Sequence, residues 1–273
     1  MLSLGGPMSS ASRWVLPRNW RLVKEMAGRQ IAAKYKGSAF GWLWSVLTPL
    51  LMLGAYMFVF STVFQRRWET VLEDKVSFAL FLFAGICCHG FLAEILSRAP
   101  GLIIENRNYV KKIMFPLEVI PVVAVAVAAF SLGINLALLL AMYIAFHGVP
   151  PATALMAPII LAPLLIIGLG VAWLFSAIGV FLRDLKHLSQ LLVMLLLFMT
   201  PIFYPIEVIP EAYRVYLLVN PLASIVTELR DVLFFGRLPS PLAIALLWAG
   251  AVIFAWLSRL LFLRLREVFA DAI

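Results

Sequence analysis

Charge is scarce in this 273-residue chain: Asp, Glu, Lys and Arg together make up 13% of it, against about 25% in soluble domains. That shortage excludes a water-soluble enzyme and a solvated, disordered regulator. Cysteine is nearly absent. The two present, Cys87 and Cys88, are neighbours in an apolar run, which excludes a disulfide scaffold and suits no metal site. Three histidines, His89, His147 and His187, fall on separate segments, so no histidine metal centre is expected. No glycine is followed by lysine, so the phosphate-binding P-loop is missing and the chain is not an ATPase of that kind. H-E-x-x-H and G-x-S-x-G are missing too, and no catalytic residue is assigned. The chain does not open on a short apolar core with a small-residue cleavage site, so no removable signal peptide is expected.

What fills the sequence is hydrocarbon. Apolar residues make up 63% and the mean hydropathy is +1.00, so the expected fold is an all-α membrane protein. A crossing helix needs about 20 apolar residues, and six segments meet that length: about 43–64, 76–97, 117–146, 152–182, 188–204 and 240–262. Residues 1–41 precede this transmembrane domain of 42–273. Lys and Arg outnumber Asp and Glu by 22 to 14. In a soluble protein that excess would point to nucleic acid; here it reads as topology, because cytoplasmic loops retain positive charge. Placing the N-terminal stretch, 98–115, 183–187 and the tail from Arg259 on one side collects 16 of the 22 cations. Both termini are therefore expected in the cytoplasm.

Three segments outside the spans carry more information. From Arg18 to Lys36, helical spacing puts Trp20, Val23, Ala27, Ile31 and Tyr35 on one face and Arg18, Arg21, Glu25, Arg29 and Lys36 on the other. This reads as an amphipathic helix along the inner leaflet, either a plain topology anchor or a binder of anionic headgroups through Arg18, Arg21, Arg29, Lys34 and Lys36. Between spans two and three, Pro100 starts and Pro116 stops a short helix expected over Leu102 to Lys112. It presents Glu105, Asn106, Arg107, Asn108, Tyr109, Lys111 and Lys112. So short a helix is marginal in water, so it docks on the membrane surface or on a cytoplasmic partner. Between spans five and six, residues 205–237 include 13 uncharged residues from Val215 to Thr227, too few to cross. Repeated prolines and the Asn220-Pro221 turn signal suggest two helices dipping back into the outer leaflet, a backbone tolerated only beside protein or a wet cavity.

Aromatic residues recur along the spans. Tyr56, Phe60 and Phe64 share one helical face, and Phe198, Phe203 and Tyr204 lie at the outer end of the fifth span. They read either as core and lipid packing or as a path on which sugar rings stack without fixed hydrogen bonding. The acids nearest the bilayer, Glu94 and Glu118, sit at cytoplasmic helix ends and are expected to pair with Arg98 or Lys112 rather than couple ions. An embedded enzyme acting on polyprenyl-linked sugars would need clustered catalytic charge, and its best site would be the outer acids Glu207, Glu211, Glu228 and Asp231.

Lys34 to Leu50, K-Y-K-G-S-A-F-G-W-L-W-S-V-L-T-P-L, resembles the approach to the first span in ABC-2 type permeases that export O-antigen, capsular polysaccharide and teichoic acid. Glu105 to Pro116, E-N-R-N-Y-V-K-K-I-M-F-P, is similar to that family's cytoplasmic loop. Pro201 to Ala223, with P-I-F-Y-P-I-E-V-I-P and V-N-P-L-A, is similar to its outer segment. Thr48 stands where Asn is expected. The resemblance implies a six-helix subunit of the bacterial inner membrane that dimerises and binds two copies of a separate ABC ATP-binding subunit. ATP and magnesium would then sit on that partner, with no cofactor in this chain. Residues Glu105 to Lys112 would couple to the ATPase, and the basic helix would flank a lateral opening for lipid-linked polysaccharide. Tyr56, Phe60, Phe64, Phe203 and Tyr204 would line a channel between the two copies. The same fold could instead export small hydrophobic compounds or lipids.

Overall fold

The computed structural model describes residues 19–37, 40–62, 75–110, 115–204, 210 and 220–272. Among them every regular element is helical. In chain order they are α1 (Trp20–Tyr35), α2 (Trp44–Thr62), α3 (Lys75–Arg98), α4 (Leu102–Glu105), α5 (Arg107–Val110), α6 (Val119–His147), α7 (Ala157–Gly179), α8 (Leu185–Met199), α9 (Pro221–Arg230), α10 (Pro241–Leu265) and α11 (Phe269–Ala272).

Local chemistry sets the helix ends. Gly148, with φ +78°, and the following Pro150-Pro151 stop α6. Asn220 starts α9 by accepting a hydrogen bond from the Leu222 amide at 3.0 Å, with Pro221 at the first helical position. Ser240 and Pro241 start α10 in the same way.

Four helical stretches are long and apolar enough to cross a bilayer: Val76–Glu105, Val119–His147, Ala152–Gly179 and Pro241–Ala272. This is a multi-pass membrane protein. Two further apolar runs, Gly41–Tyr56 and Leu185–Met199, are shorter. The expected fifth span of 188–204 thus ends as a helix at Met199, where Thr200 turns extended and Pro201 follows.

Helix α3 is the axis of the bundle. Ala79, Leu80, Ala84 and Cys88 are fully buried, packed with α6, α7 and α9 in the main core. Neighbouring pairs such as Gly168 with Phe91 and Gly170 with Phe254 align α3, α7 and α10 in parallel. The Ser77 hydroxyl shares a hydrogen bond with Nε2 of His147 at the far end of α6, so α6 runs antiparallel to α3, as alternating crossings require.

A second core lies at the other end of α6. Val23, Met26 and Ala27 of α1 are buried there with Ala99, Leu102, Ile103 and Val119. Helix α1 therefore rests its apolar side on α6 and the loop between α3 and α6. Trp20 is exposed and Met26 is buried, so the contact face is rotated from the one read by spacing alone.

Candidate functional site

One site begins with Arg230, the last residue of α9, which is only 4% exposed. Its guanidinium donates to the main-chain oxygens of Phe81 at 2.9 Å, Pro201 at 2.6 Å and Ile202 at 3.1 Å. Its neighbours offer carbonyls and no carboxylate, so the contacts are charge-assisted hydrogen bonds rather than a salt bridge. Asn220 adds a second tie, donating to Met199 O at 3.2 Å and to the Thr200 hydroxyl at 3.1 Å. Together they fasten α9 to α3 and to the irregular backbone after α8, satisfying carbonyls that a broken helix leaves open.

That fastening sets the place of the aromatics. Phe203, held beside Ile202, meets Tyr56 of α2 with ring centroids 6.3 Å apart. Tyr204 donates its hydroxyl to Phe198 O at 2.6 Å, and the ring of Phe198 is exposed. Tyr56, Phe198, Phe203 and Tyr204 thus gather at one end of the bundle. Phe64 and the side chain of Phe60 lie outside the described residues. Helix α8 also leaves a stripe at Leu188, Leu191, Leu195 and Phe198 exposed, a spacing of three and four residues that places them on one face.

In the loop between α3 and α6 the sequence predicts one helix over Leu102 to Lys112; the chain instead breaks at Asn106. The Asn106 side chain donates back to Leu102 O at 2.8 Å, a local bond that competes with helix continuation, and α5 restarts at Arg107. Glu105, Arg107 and Asn108 are exposed, while Tyr109 stacks on Phe115 at 4.4 Å. Lys111 and Lys112 lie outside the described residues. The loop is pinned from behind by Gly179: a Cβ there would run into the main chain of Pro100.

Of the two acids, Glu94 has the partner read from sequence, Arg98, and Glu118 has another. Glu118 pairs with Arg259 at 3.5 Å, with side chains 1% and 8% exposed. Arg259 was taken to begin the tail, but α10 runs on to Leu265 and buries it. Glu94 does lie near Arg98, at 3.9 Å, but it is closer to Lys34, at 3.2 Å. Of the basic residues assigned to headgroups, Arg21, Arg29 and Lys36 are exposed, Lys34 turns to Glu94, and Arg18 lies outside the described residues. No group of His, Cys, Asp and Glu among the described residues could hold a metal ion.

The sequence model of the family described as ABC-2 type transporter matches residues 21–234. The chain is 27% identical to the O-antigen export system permease protein RfbA of Myxococcus xanthus, over 92% of this chain and 95% of that one. It is 27% identical to the protein of the same name from Klebsiella pneumoniae, over 97% and 99% of the two chains. It is 24% identical to the polysialic acid transport protein KpsM of Escherichia coli, over 78% and 81%.

Proposed function

This chain belongs to the ABC-2 type transporter family, and on that premise we propose that it is the membrane subunit of an ATP-driven exporter of lipid-linked polysaccharide, of O-antigen or capsule type, in a bacterial inner membrane. The observation that carries this reading is similarity along most of the chain to permeases named for two different polymers, O-antigen and polysialic acid. A sugar polymer cannot dissolve in hydrocarbon, where each unpaired hydroxyl costs several kcal/mol. It needs a wet path, while its lipid end stays in the bilayer.

Two copies of the chain form that path in this proposal, with six crossings each and both termini in the cytoplasm. The exposed stripe on α8 and the Tyr56–Phe203 pair support a seam between copies lined by aromatic rings, along which a glycan slides by stacking. Glu105, Arg107 and Asn108 supply the surface for two ATP-binding subunits, whose nucleotide cycle favours one arrangement of the bundle over the other. Arg21, Arg29 and Lys36 face the anionic headgroups of the inner leaflet.

A second reading, export of small hydrophobic compounds or lipids, is favoured by one observation. A cavity of about 740 Å³ opens among α3, α7, α8, α9 and α10, walled by Leu92, Leu96, Phe175, Leu196, Leu247 and Phe254. Deleting the gene decides between them. Loss of surface polysaccharide, restored by the intact gene, supports the first reading; retained polysaccharide with new sensitivity to hydrophobic drugs overturns it. An ATP-binding protein is also expected to copurify with the chain from detergent.

A further inference from the structure

A polar cavity of about 470 Å³ lies between the end of α1, the first turns of α2, α3 and α6, away from the aromatic cluster. Lys34, Glu94, Ser131, Asn135, Trp44 and Thr48 contribute to its wall. Its depth is unusual. With a rise of 1.5 Å per residue, Ser131 and Asn135 lie about 18 and 24 Å from the start of α6, bracketing the middle of its 29 residues. Polar groups at such depth on an otherwise apolar helix mark functional sites by default.

The polar groups are only partly used up. Lys34 Nζ donates to Glu94 at 3.2 Å and to the Ser131 hydroxyl at 3.1 Å, and Ser131 in turn donates to Val127 O at 3.3 Å. Arg98, outside the wall, reaches Glu94 from behind at 3.9 Å and donates to Gln30 at 2.9 Å. The side chains of Asn135 and Thr48 have no hydrogen-bond partner among the described residues. The wall therefore offers one cation, one carboxylate, an amide and hydroxyls, so that its charges balance. Beside them stands the indole of Trp44, set edge-on to Phe40 at 5.7 Å.

This composition selects among ligands. An anion would meet the carboxylate of Glu94, and an alkyl chain would strand the amide of Asn135. A sugar ring brings vicinal hydroxyls that both donate and accept, and an apolar face for an aromatic wall. We propose that this cavity is a carbohydrate subsite that holds a sugar residue near the cytoplasmic half of the bundle, before the chain reaches the aromatic cluster. The proposal rests on the reading of the chain as a polysaccharide permease. Asn135 and Thr48 are the contacts that read the hydroxyls, and the Lys34–Glu94 pair is the charged floor that orients them.

The test uses the full chain with its copurified ATP-binding partner in lipid nanodiscs. Calorimetric titration is run with oligosaccharide released by mild acid from the host's own lipid-linked polysaccharide, and separately with inorganic pyrophosphate. The oligosaccharide is expected to bind the wild type, with affinity falling about tenfold in Asn135→Leu and Thr48→Val, the loss expected for a forfeited hydrogen bond. Asn135→Gln, which keeps the amide, restores much of it. Thr48→Val is nearly isosteric at an exposed position, so it reports even if Asn135→Leu fails to assemble. Absence of wild-type binding, unchanged affinity in both variants, or saturation by pyrophosphate each overturns the subsite. If the deletion strain lacks surface polysaccharide while these variants bind and export normally, only the subsite is wrong; if the deletion strain keeps its polysaccharide, the permease reading itself fails.

Discussion

The guanidinium of Arg230 lies 3.9 Å from the centroid of the Phe81 ring while its Nε donates to the main-chain oxygen of that same residue at 2.9 Å. One side chain thus grips both faces of a single position on the central helix. Such an approach requires that α3 carry no side chain one turn on, and Gly85 provides this: a Cβ there would stand 2.9 Å from the Arg230 guanidinium. Replacing Arg230 with Met strands the Pro201 and Ile202 oxygens, each buried orphan costing about 1–3 kcal/mol. A clear fall in the thermal midpoint in detergent is expected, and Gly85→Val should produce the same fall without adding to it. Additive losses would show that the two residues do not share one contact.

Glu118 and Arg259 make a different kind of pair. Both are buried, and the Glu118 carboxylate accepts no hydrogen bond among the described residues, so the attraction of Arg259 is what offsets the desolvation of that carboxylate. Glu118→Gln removes the buried carboxylate charge that faces the Arg259 guanidinium and is expected to cost about 3–5 kcal/mol. The double replacement by Leu at 118 and Met at 259 should regain most of that stability, as apolar substitutes for buried pairs do. Unfolding curves of the two variants check this; a double variant less stable than Glu118→Gln would show that the pair is net stabilising.

Gly179 controls where the loop between α3 and α6 sits. Gly179→Val pushes a branched side chain into Pro100, so the turn that leads into α4 must move. The expected result is a permease that still reaches the membrane but retains less ATP-binding partner on purification. Changing Arg107 and Tyr109 together to Ala should instead keep the partner and lose export, because the loop stays in place while its contacts are removed. Normal export with normal stimulated ATPase in that second variant would contradict the coupling assignment.

Glu228, in α9, carries a pH signature. Burial raises its carboxyl above the usual carboxylate value, Asp231 nearby raises it further, and a hydrogen bond from the Ser240 backbone opposes both. A folded-state value above the unfolded value of about 4.3 means that the folded chain binds the proton more tightly. Its contribution to stability is therefore complete below about pH 4 and is lost as pH rises through the raised value. Thermal midpoints across this window should decline more steeply in the wild type than in Glu228→Gln. Parallel declines would remove Glu228 as the cause.

The apolar runs were legible in sequence because a bilayer demands length, and α3, α6, α7 and α10 follow the segments read from hydropathy. The fate of individual charges was not. Arg230 and Arg259 read as topology markers, since nothing local distinguishes a loop cation from one whose partners lie 149 and 141 positions away, at Phe81 and Glu118. The break at Asn106 depends on a side chain bonding backward, which competes with helix formation by a margin that propensity does not resolve. Spacing found the amphipathic helix α1, but Met26 replaced Trp20 in its buried face because α6 and the loop, not a flat leaflet, supply the contact. Residues 56 and 203 both read as path residues in sequence, and their meeting rests on the backbone that Arg230 holds, a residue the sequence did not single out.

The most direct test places a photo-activatable cross-linking amino acid at position 203, and separately at Ile253, which is exposed on α10, in cells actively exporting polysaccharide. If two copies enclose an aromatic-lined path for the glycan, light should join polysaccharide to the chain at position 203 and not at 253, and the adduct should disappear when the partner's ATP hydrolysis is blocked before synthesis of the glycan begins. Adducts to lipid alone at both positions, or equal glycan capture at both, would contradict a path running past Phe203.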